Sequence, residues 1–529
     1  MRKRKANREK MNRSRWLKVV SSILVIVMGV SLFGQVAANG AFDGAGKQAD
    51  TGMIAGLSQV EAASNAIDYK TVLKETSAAI EEVLTTYKVE AADEDGGTSI
   101  VDWYGPANAS IGGEWAVIGE SRYGKKNPMW YRAYYENLVR VLRTVGEAQV
   151  SADGLTTGTK TGGTAKAVPL KLDSRKGTEN SRAILALTAI GMDASNVEGY
   201  DLTAALSDMT YVKKQGLNGP IWALIALDSG NYKIPQSASG NTSSQVTREG
   251  LLSYILSREL TDGGFNLTKS TAQGPDPDIT AMALQAFAPY YTGRIPVGTD
   301  LQKQIREAVD RNIQILSDIQ ETSGAYSSYG SENAESTAQV LVALSSLGID
   351  AETDSRFIKK GKSVMDGLLY FYISSTGMFK HVDTEKVGNQ MATEQAFYAL
   401  VSYQRFQNKA NPLYDMSDAD EECVMDLADC VVTVSQTAYT YTGKVVTPGV
   451  NVTCKKLDGT TITLIKGTDY TVTYKDNKMP GKGSVIIKGK SDYTGSINRT
   501  ITIAPLAPVI SSVKNFDPGI RIKWEKTDG

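Results

Sequence analysis

A short apolar phrase returns six times between Gly113 and Leu400, and it constrains the fold more than any other feature. Its clearest copies are Thr280-Ala-Met-Ala-Leu-Gln-Ala286-Phe, Thr337-Ala-Gln-Val-Leu-Val-Ala343-Leu and Thr393-Glu-Gln-Ala-Phe-Tyr-Ala399-Leu. The same register extends back to Pro220–Leu227, Asn180–Leu187 and Gly113–Glu120. Its small anchors, Gly119, Ala186, Ala226, Ala286, Ala343 and Ala399, stand 67, 40, 60, 57 and 56 residues apart. Three residues before each anchor is Ala116, Ala183, Ala223, Ala283, Val340 or Ala396. A small stripe at i, i+3 lets a helix lie close to its neighbour while the bulky positions fill the core. Gly124, Gly191 and Gly348, five residues past their anchors, suit left-handed C-terminal caps. A phrase repeated at such intervals is the mark of a repeat architecture.

Between the copies runs a second, amphipathic pattern. In Leu301–Gln320 the stripe is Ile305, Val309, Ile313 and Leu316. The last three such segments end in a glycine turn with an aromatic: Asp262-Gly-Gly-Phe265, Ser323-Gly-Ala-Tyr326 and Thr376-Gly-Met-Phe379. Each unit thus reads as outer helix, glycine–aromatic turn and apolar inner helix. Six hairpins with inner helices apolar all round predict a closed double ring. These Gly-Gly-Phe turns and Thr-Ala-x-x-Leu-x-Ala-Leu helices resemble the α/α-toroid repeats of terpenoid cyclases and protein prenyltransferases. The resemblance covers about residues 67–410 and implies an all-α (α/α)6 toroid.

In chain order, residues 1–18 hold nine Lys/Arg against Glu9, and an uncharged apolar run follows from Val19 to Ala38. This reads as a secretory signal (1–38) cut near Ala38, with an uncleaved membrane anchor as the alternative. Removing residues 1–18 leaves 48 of the 57 basic and 57 of the 58 acidic residues, which argues against a nucleic-acid partner. Residues 39–66, rich in Gly, Ala and Ser, read as a flexible spacer. The aromatics Trp103, Trp115, Trp130, Tyr131 and Tyr134 either pack the first hairpin or wall the central cavity. Ser151–Lys166 is a polar exposed loop.

After Leu413 the composition changes. Acidic 411–428 reads as a linker. Alternating runs at Val431–Ser435, Val450–Cys454, Tyr470–Tyr474, Ser484–Lys488 and Ile497–Ile503 then predict strands. Tyr441-Thr-Gly443, Gly467-Thr-Asp-Tyr470 and Asp492-Tyr-Thr-Gly495 resemble a small all-β Ig-like module of Gram-positive surface proteins, over 429–505. Residues 506–529 resemble the first two strands of a fibronectin type III domain and read as a truncated copy. Of the three cysteines, Cys430 and Cys454 lie in neighbouring strand segments and form the expected pair if any two are oxidised.

The resemblance also brings catalytic readings. Prenyltransferase zinc chemistry needs Cys and His ligands, yet the ring has no cysteine and the chain has one histidine, His381. A Cys–Gln thioester is excluded for the same reason, and no Ser–His–Asp arrangement is expected around His381. Cobalamin carriers resemble the toroid too, but they use a second domain not found here, so no cofactor or metal is expected. Asp276-Pro-Asp278-Ile-Thr280-Ala281 resembles the Asp-x-Asp-Asp-Thr-Ala acid of class II cyclases, with Ile279 where that family has its last Asp. The register offers another account. Asp276, Asn333 and Asn389 stand ten residues before their anchors, and Asp278 and Glu335 eight before, where they would cap helix starts. A cap accounts for three repeats and an acid for one.

The function expected from sequence is a non-catalytic, exported cell-surface binding or adhesion protein, monomeric, with the β modules as a stalk. Its ligand would be an extracellular glycan, peptide or small molecule, met at the rim carrying Phe265, Tyr326, Phe379, His381, Asp278 and Glu335, where the three turn aromatics either wall the site or plug the space between helices. The alternative is a terpene cyclase-like enzyme acting on an isoprenoid through Asp276 and Asp278. Mass spectrometry of the exported chain is expected to find its N-terminus near Ala38. An intact full-length chain confined to the cytoplasm would count against export.

Overall fold

The computed structural model describes residues 68–86, 88–92, 98–102, 113–153, 168–237, 244–420, 423–455 and 461–526, and only the backbone at 83–102, 147–153 and 168–169. The export signal, the spacer, Trp103 and most of Ser151–Lys166 lie outside the described residues.

Twelve α-helices among the described residues alternate in chain order between two layers. The outer layer holds α1 (Tyr69–Thr86), α3 (Pro128–Asp153), α5 (Met209–Val212), α7 (Arg248–Ser257), α9 (Thr299–Asp318) and α11 (Val364–Leu369). The inner layer holds α2 (Glu114–Tyr123), α4 (Gly177–Ala189), α6 (Asn218–Ser229), α8 (Pro277–Tyr291), α10 (Ala334–Leu347) and α12 (Gln390–Gln407). Each inner helix packs on the next, and α12 returns to pack on α2. The helices therefore form a closed toroid-like ring followed by a β-rich region.

The small stripe makes this closure possible. All six anchors are buried, as are the six residues three positions earlier. At the seam the approach is closest: a Cβ on Gly119 would lie 2.6 Å from Cδ1 of Phe397 on α12. Outer helices meet this ring through one face only. On α9, Ile305, Val309, Ile313 and Leu316 are buried, while its charged residues are turned away from the core. The short third outer element, four residues of α5 between two 3-10 turns, accounts for the 40-residue interval. Trp130, Tyr131 and Tyr134 of α3 are core residues of the first hairpin. Trp115 differs. It reaches across the ring to Trp222 of α6 (5.0 Å between centroids) and to Tyr398 of α12 (5.3 Å), so aromatic rings close the centre.

The acidic stretch after α12 is not the free linker expected from its composition. Leu413 and Met416 are buried, and Met416 N donates to Ser229 O at 3.0 Å. Arg122, 4% exposed, donates to the carbonyls of Leu413 (3.0 Å) and Asp415 (2.8 Å) and pairs with Asp418 at 2.6 Å. A guanidinium buried at this site needs partners, and the segment supplies them from its backbone. The segment is thus a strap over the C-terminal ends of the inner helices.

Beyond the strap, strands Val431–Val434, Val450–Lys455 and Thr461–Thr463 form one sheet. Ala438–Thr440, Ser496–Ala504, Gly481–Gly489 and Tyr470–Lys475 form another, in that spatial order. Val432 and Val452 from the first sheet and Val485, Ile487 and Ile501 from the second share one core. Cys430 and Cys454 are joined by a disulfide. Arg132 of α3 ties this region to the ring, through Asp492 at 3.0 Å and over the Tyr493 ring at 5.5 Å. Ile510–Phe516 and Gly519–Trp524 pair as an antiparallel hairpin.

The seam gives a direct test. Gly119→Val places branched atoms where Phe397 already sits, and is expected to lower stability by about 1–3 kcal/mol in a denaturant melt. Wild-type stability in that variant would mean that the ring does not close there.

Candidate active site

The rim where the inner helices begin is built three times by the same local device. The threonine opening each clear repeat accepts a hydrogen bond from the turn aromatic's backbone N–H. Thr280 Oγ1 takes that of Phe265 (2.9 Å), Thr337 that of Tyr326 (3.1 Å) and Thr393 that of Phe379 (3.0 Å). The turn glycine ahead of each aromatic has positive φ: 80° at Gly264, 89° at Gly324 and 70° at Gly377. Of the two readings of Phe265, Tyr326 and Phe379, walls of a ligand site or plugs between helices, the structure has the second, and the three drop out as ligand-site candidates. All three side chains are fully buried, and the Tyr326 hydroxyl donates to Leu316 O at 3.0 Å. Pulled inward by the threonine, the aromatics plug the space between outer and inner helices.

The residues ten before the anchors cap the helices. Asp276 Oδ1 accepts from Ile279 N (3.0 Å), Asn333 Oδ1 from Ser336 N (2.8 Å) and Asn389 Oδ1 from Ala392 N (3.1 Å). Asp276 is occupied on its second oxygen too, by the Ser328 hydroxyl at 2.8 Å.

The residues eight before the anchors are differently placed, and they form the candidate site. Asp278 Oδ1 is shut off from solvent and makes no hydrogen bond of good geometry, though the Ser336 hydroxyl stands beside it. Burial, then the charge of Asp276, pushes the Asp278 carboxyl up to about 8, and Glu335 adds to the rise. Glu335 Oε2 pairs with His381 Nδ1 at 2.7 Å. That bond raises the imidazole pKa against the opposing effect of partial burial. The loop holding His381 is fixed by its own backbone: its carbonyl accepts from Ala334 N (3.0 Å), and its N–H donates to Glu385 (2.7 Å). Tyr329 stands at the same mouth with 81% of its surface exposed. Partial desolvation and then Asp276 and Asp278 raise its phenol.

Sequence reasoning missed several residues at this rim. Glu114 opens α2 and is buried. Glu179 and Arg182 on α4 are paired at 2.5 Å, and burial holds the Glu179 carboxyl up at about 7. Glu394 on α12 is buried and accepts from Gln390 at 3.0 Å. Tyr398 is fully buried, its hydroxyl held by Gln339 Nε2 at 2.6 Å. Their signal was present as charges inside otherwise apolar phrases, such as Thr393-Glu394-Gln-Ala. Among the described residues, no three His, Cys, Asp or Glu side chains converge as a metal site would require.

No protein-family profile and no curated protein matches the sequence. The ring does have counterparts among solved structures. One is an unsaturated glucuronyl hydrolase from Bacillus sp. GL1, at 13% identity and TM-score 0.34, covering 65% of this chain and 97% of that one. Another is described as a possible member of the GH105 family from Salmonella enterica serovar Paratyphi A, at 12% and 0.34, covering 65% and 96%. A third is an unsaturated glucuronyl hydrolase specific for heparin, at 12% and 0.32, covering 65% and 98%. The likeness is one of fold. Two of these neighbours are described as unsaturated glucuronyl hydrolases and one as a possible member of a glycoside hydrolase family, descriptions at odds with the expectation of a non-catalytic recognition or adhesion protein. They are equally at odds with the terpene cyclase-like alternative and with the reading that the chain is not an enzyme.

The placement of Asp278 has a measurable cost. The folded chain keeps a proton that the unfolded chain releases near pH 3.8, so stability falls as pH rises from about 4 toward about 8. Asp278→Asn, neutral throughout, is expected to melt increasingly above wild type across that window and to match it near pH 4. Equal melting temperatures at pH 8 would show that the carboxyl is not held protonated.

Proposed function

We propose that the rim is the active site of a glycoside hydrolase acting on a neutral or amino-sugar glycan. The observation that carries this reading is the pairing of unlike carboxyls. Asp278 keeps its proton up to about pH 8, and Glu335 stands beside it, oriented by His381. Hydrolysis of a glycosidic bond needs one carboxyl as acid and another as base or nucleophile. Asp278 would donate its proton to the glycosidic oxygen as that bond breaks. Glu335 would take a proton from the attacking water, since Oε2 is held by His381 while Oε1 has no hydrogen bond among the described residues. Asp276 is spent as a cap on one oxygen and on Ser328 with the other, so its part is to raise Asp278 by charge.

Charge narrows the substrate. The mouth gathers Glu335 and Glu385 around His381 and Asp276 beside Asp278, and Arg182 is already paired with Glu179. Carboxylates so placed repel an anionic sugar and admit a neutral or cationic one. The exposed Tyr329 ring supplies a flat apolar surface for a sugar face. Export fits a polymeric substrate, and it rests on the basic and apolar N-terminal pattern. We read 429–505 as an Ig-like module and 506–529 as a fibronectin type III-like segment. Two facing sheets with a common core and a terminal hairpin support those readings.

The test is release of reducing ends from neutral and amino-sugar polysaccharides. Asp278→Asn and Glu335→Gln are each expected to lower kcat by about 10²–10⁴-fold while the fold persists. The wild-type rate should fall above about pH 8 as Asp278 loses its proton. Hydrolysis undiminished in both variants would refute the assignment.

A further inference from the structure

The tip of the hairpin that leads into α10 combines features the fold itself does not need. Tyr326–Ser328 pairs with Ser331–Asn333, which leaves Tyr329 and Gly330 as a two-residue turn. Both have positive φ, 52° at Tyr329 and 84° at Gly330, the hairpin geometry in which Asn-Gly is the usual pair. Of the eight non-glycine residues with positive φ among the described residues, Tyr329 is the one aromatic. A bulky residue costs free energy there, because its Cβ crowds the backbone. The ring recovers little of that cost. It is 81% exposed, and it makes no hydrogen bond or ring contact among the described residues. The hairpin beneath it is tied down on both strands: Ser328 donates to Asp276 at 2.8 Å, Ser327 donates to Glu321 at 2.9 Å, and Glu332 accepts from Ser323 at 2.7 Å. An exposed aromatic alone is ordinary, but one held in a costly conformation by a fixed frame points to a use outside the fold.

We propose that Tyr329 is the platform for the leaving-group sugar, the part of the glycan that departs with the glycosidic oxygen. This rests on the rim being the hydrolytic site proposed above, and it specifies the side of the bond on which the ring acts. The Ser328 bond fixes the tip to Asp276, the cap two residues before Asp278, so the ring stands on the Asp278 side of the carboxyl pair. The influences on its phenol agree: after desolvation come the charges of Asp276 and Asp278. Asp278 gives its proton to the oxygen that leaves, whereas the water activated by Glu335 attacks the anomeric carbon of the other sugar. A ring beside the acid therefore meets the departing sugar, whose C–H face packs on the aromatic while its hydroxyls stay in water. The substrate class follows. Its leaving group is a sugar, not a small alcohol, so it is an oligosaccharide or polysaccharide.

The experiment uses the full chain with cellopentaose, maltopentaose and chitopentaose. Binding is measured by titration calorimetry in the Asp278→Asn background, where turnover is blocked. At least one pentaose is expected to bind. Adding Tyr329→Asn should weaken that binding about tenfold, and adding Tyr329→Phe, which keeps the ring, should change it by less than about twofold. With Asp278 intact, Tyr329→Asn should lower kcat/KM on that pentaose about tenfold. Hydrolysis of the matching trisaccharide fluoride, which has no leaving sugar, should be unchanged. Tyr329→Asn should also melt about 1–3 °C above the wild-type chain, since Asn tolerates the left-handed region. A Tyr329 that serves only the fold predicts the reverse, a lower melting temperature with glycan binding intact. The inference is overturned if no pentaose binds, if binding is the same in Tyr329→Asn, or if that variant slows fluoride and pentaose equally. Binding that requires the ring, in a chain that hydrolyses none of the three, would keep the platform and refute the roles of Asp278 and Glu335.

Discussion

Everything in this molecule depends on α12 being able to lie against α2. An open row of hairpins would leave two apolar inner helices unpaired, and each would need another partner to cover it. Closure removes both edges at once, but only if the last contact is as close as the others. Gly119 supplies that closeness against Phe397, where even a methyl group would meet the ring. The other five seams use alanine anchors and do not need glycine. The tightest position is therefore the one that joins residues nearly three hundred apart in sequence, where no hairpin turn assists. The strap adds to the same closure, since Arg122, three residues beyond the seam, binds its carbonyls and Arg405 of α12 donates to Arg122 O.

Closure also decides where chemistry can occur. With every inner helix entered from an outer one, all six begin on the same rim, and their first turns face a common mouth. The threonine–aromatic bond sets how each chain segment arrives there. It draws the aromatic into the core and fixes the next residues, so the cap position and the one two beyond it fall at defined places. In two repeats that second position is acidic, and the two acids meet over His381 from a third. A neutral polar chain, Gln285 to Gln339 to Tyr398, crosses the ring beneath them and gives the buried phenol a partner.

How much of this was legible in the sequence follows from the range of each interaction. The register of the phrase, the helix ends at Gly124 and Gly348, and the caps at Asp276, Asn333 and Asn389 are local, and the sequence carries them plainly. So are the main strands after residue 430, which alternate with period two. Closure left only an indirect trace, as small residues at fixed intervals. The strap was illegible because its composition is that of a linker, and its role depends on Arg122 some 290 residues away. The aromatic turns allowed two readings because exposure cannot be read from a glycine-rich context. There, a hydrogen bond to the threonine of the next helix decides the direction of the side chain.

The distinction between a cap and an acid was the hardest to make, because both call for the same residue types at a helix start. Geometry separates them through occupancy. Asp276 accepts from Ile279 N on one oxygen and from Ser328 on the other, so it serves the backbone. Because Asp276 caps the helix, Asp278 is released from that duty, and as a near neighbour Asp276 makes ionisation of Asp278 costly. Glu335 is placed differently, with Oε2 paired to His381 Nδ1. One repeat device thus yields three carboxyls with three different duties, fixed by what each oxygen touches. Glu120 shows that a raised pKa alone does not make a site. It too is pushed to about 8 by burial, but it stands in the inner-helix phrase, bound to Ser77 of α1. It lies two to three turns from the Asp278 level of the register, within the packed wall of the ring. A protonated carboxyl is useful only where a substrate can reach it, and in this fold that means the rim.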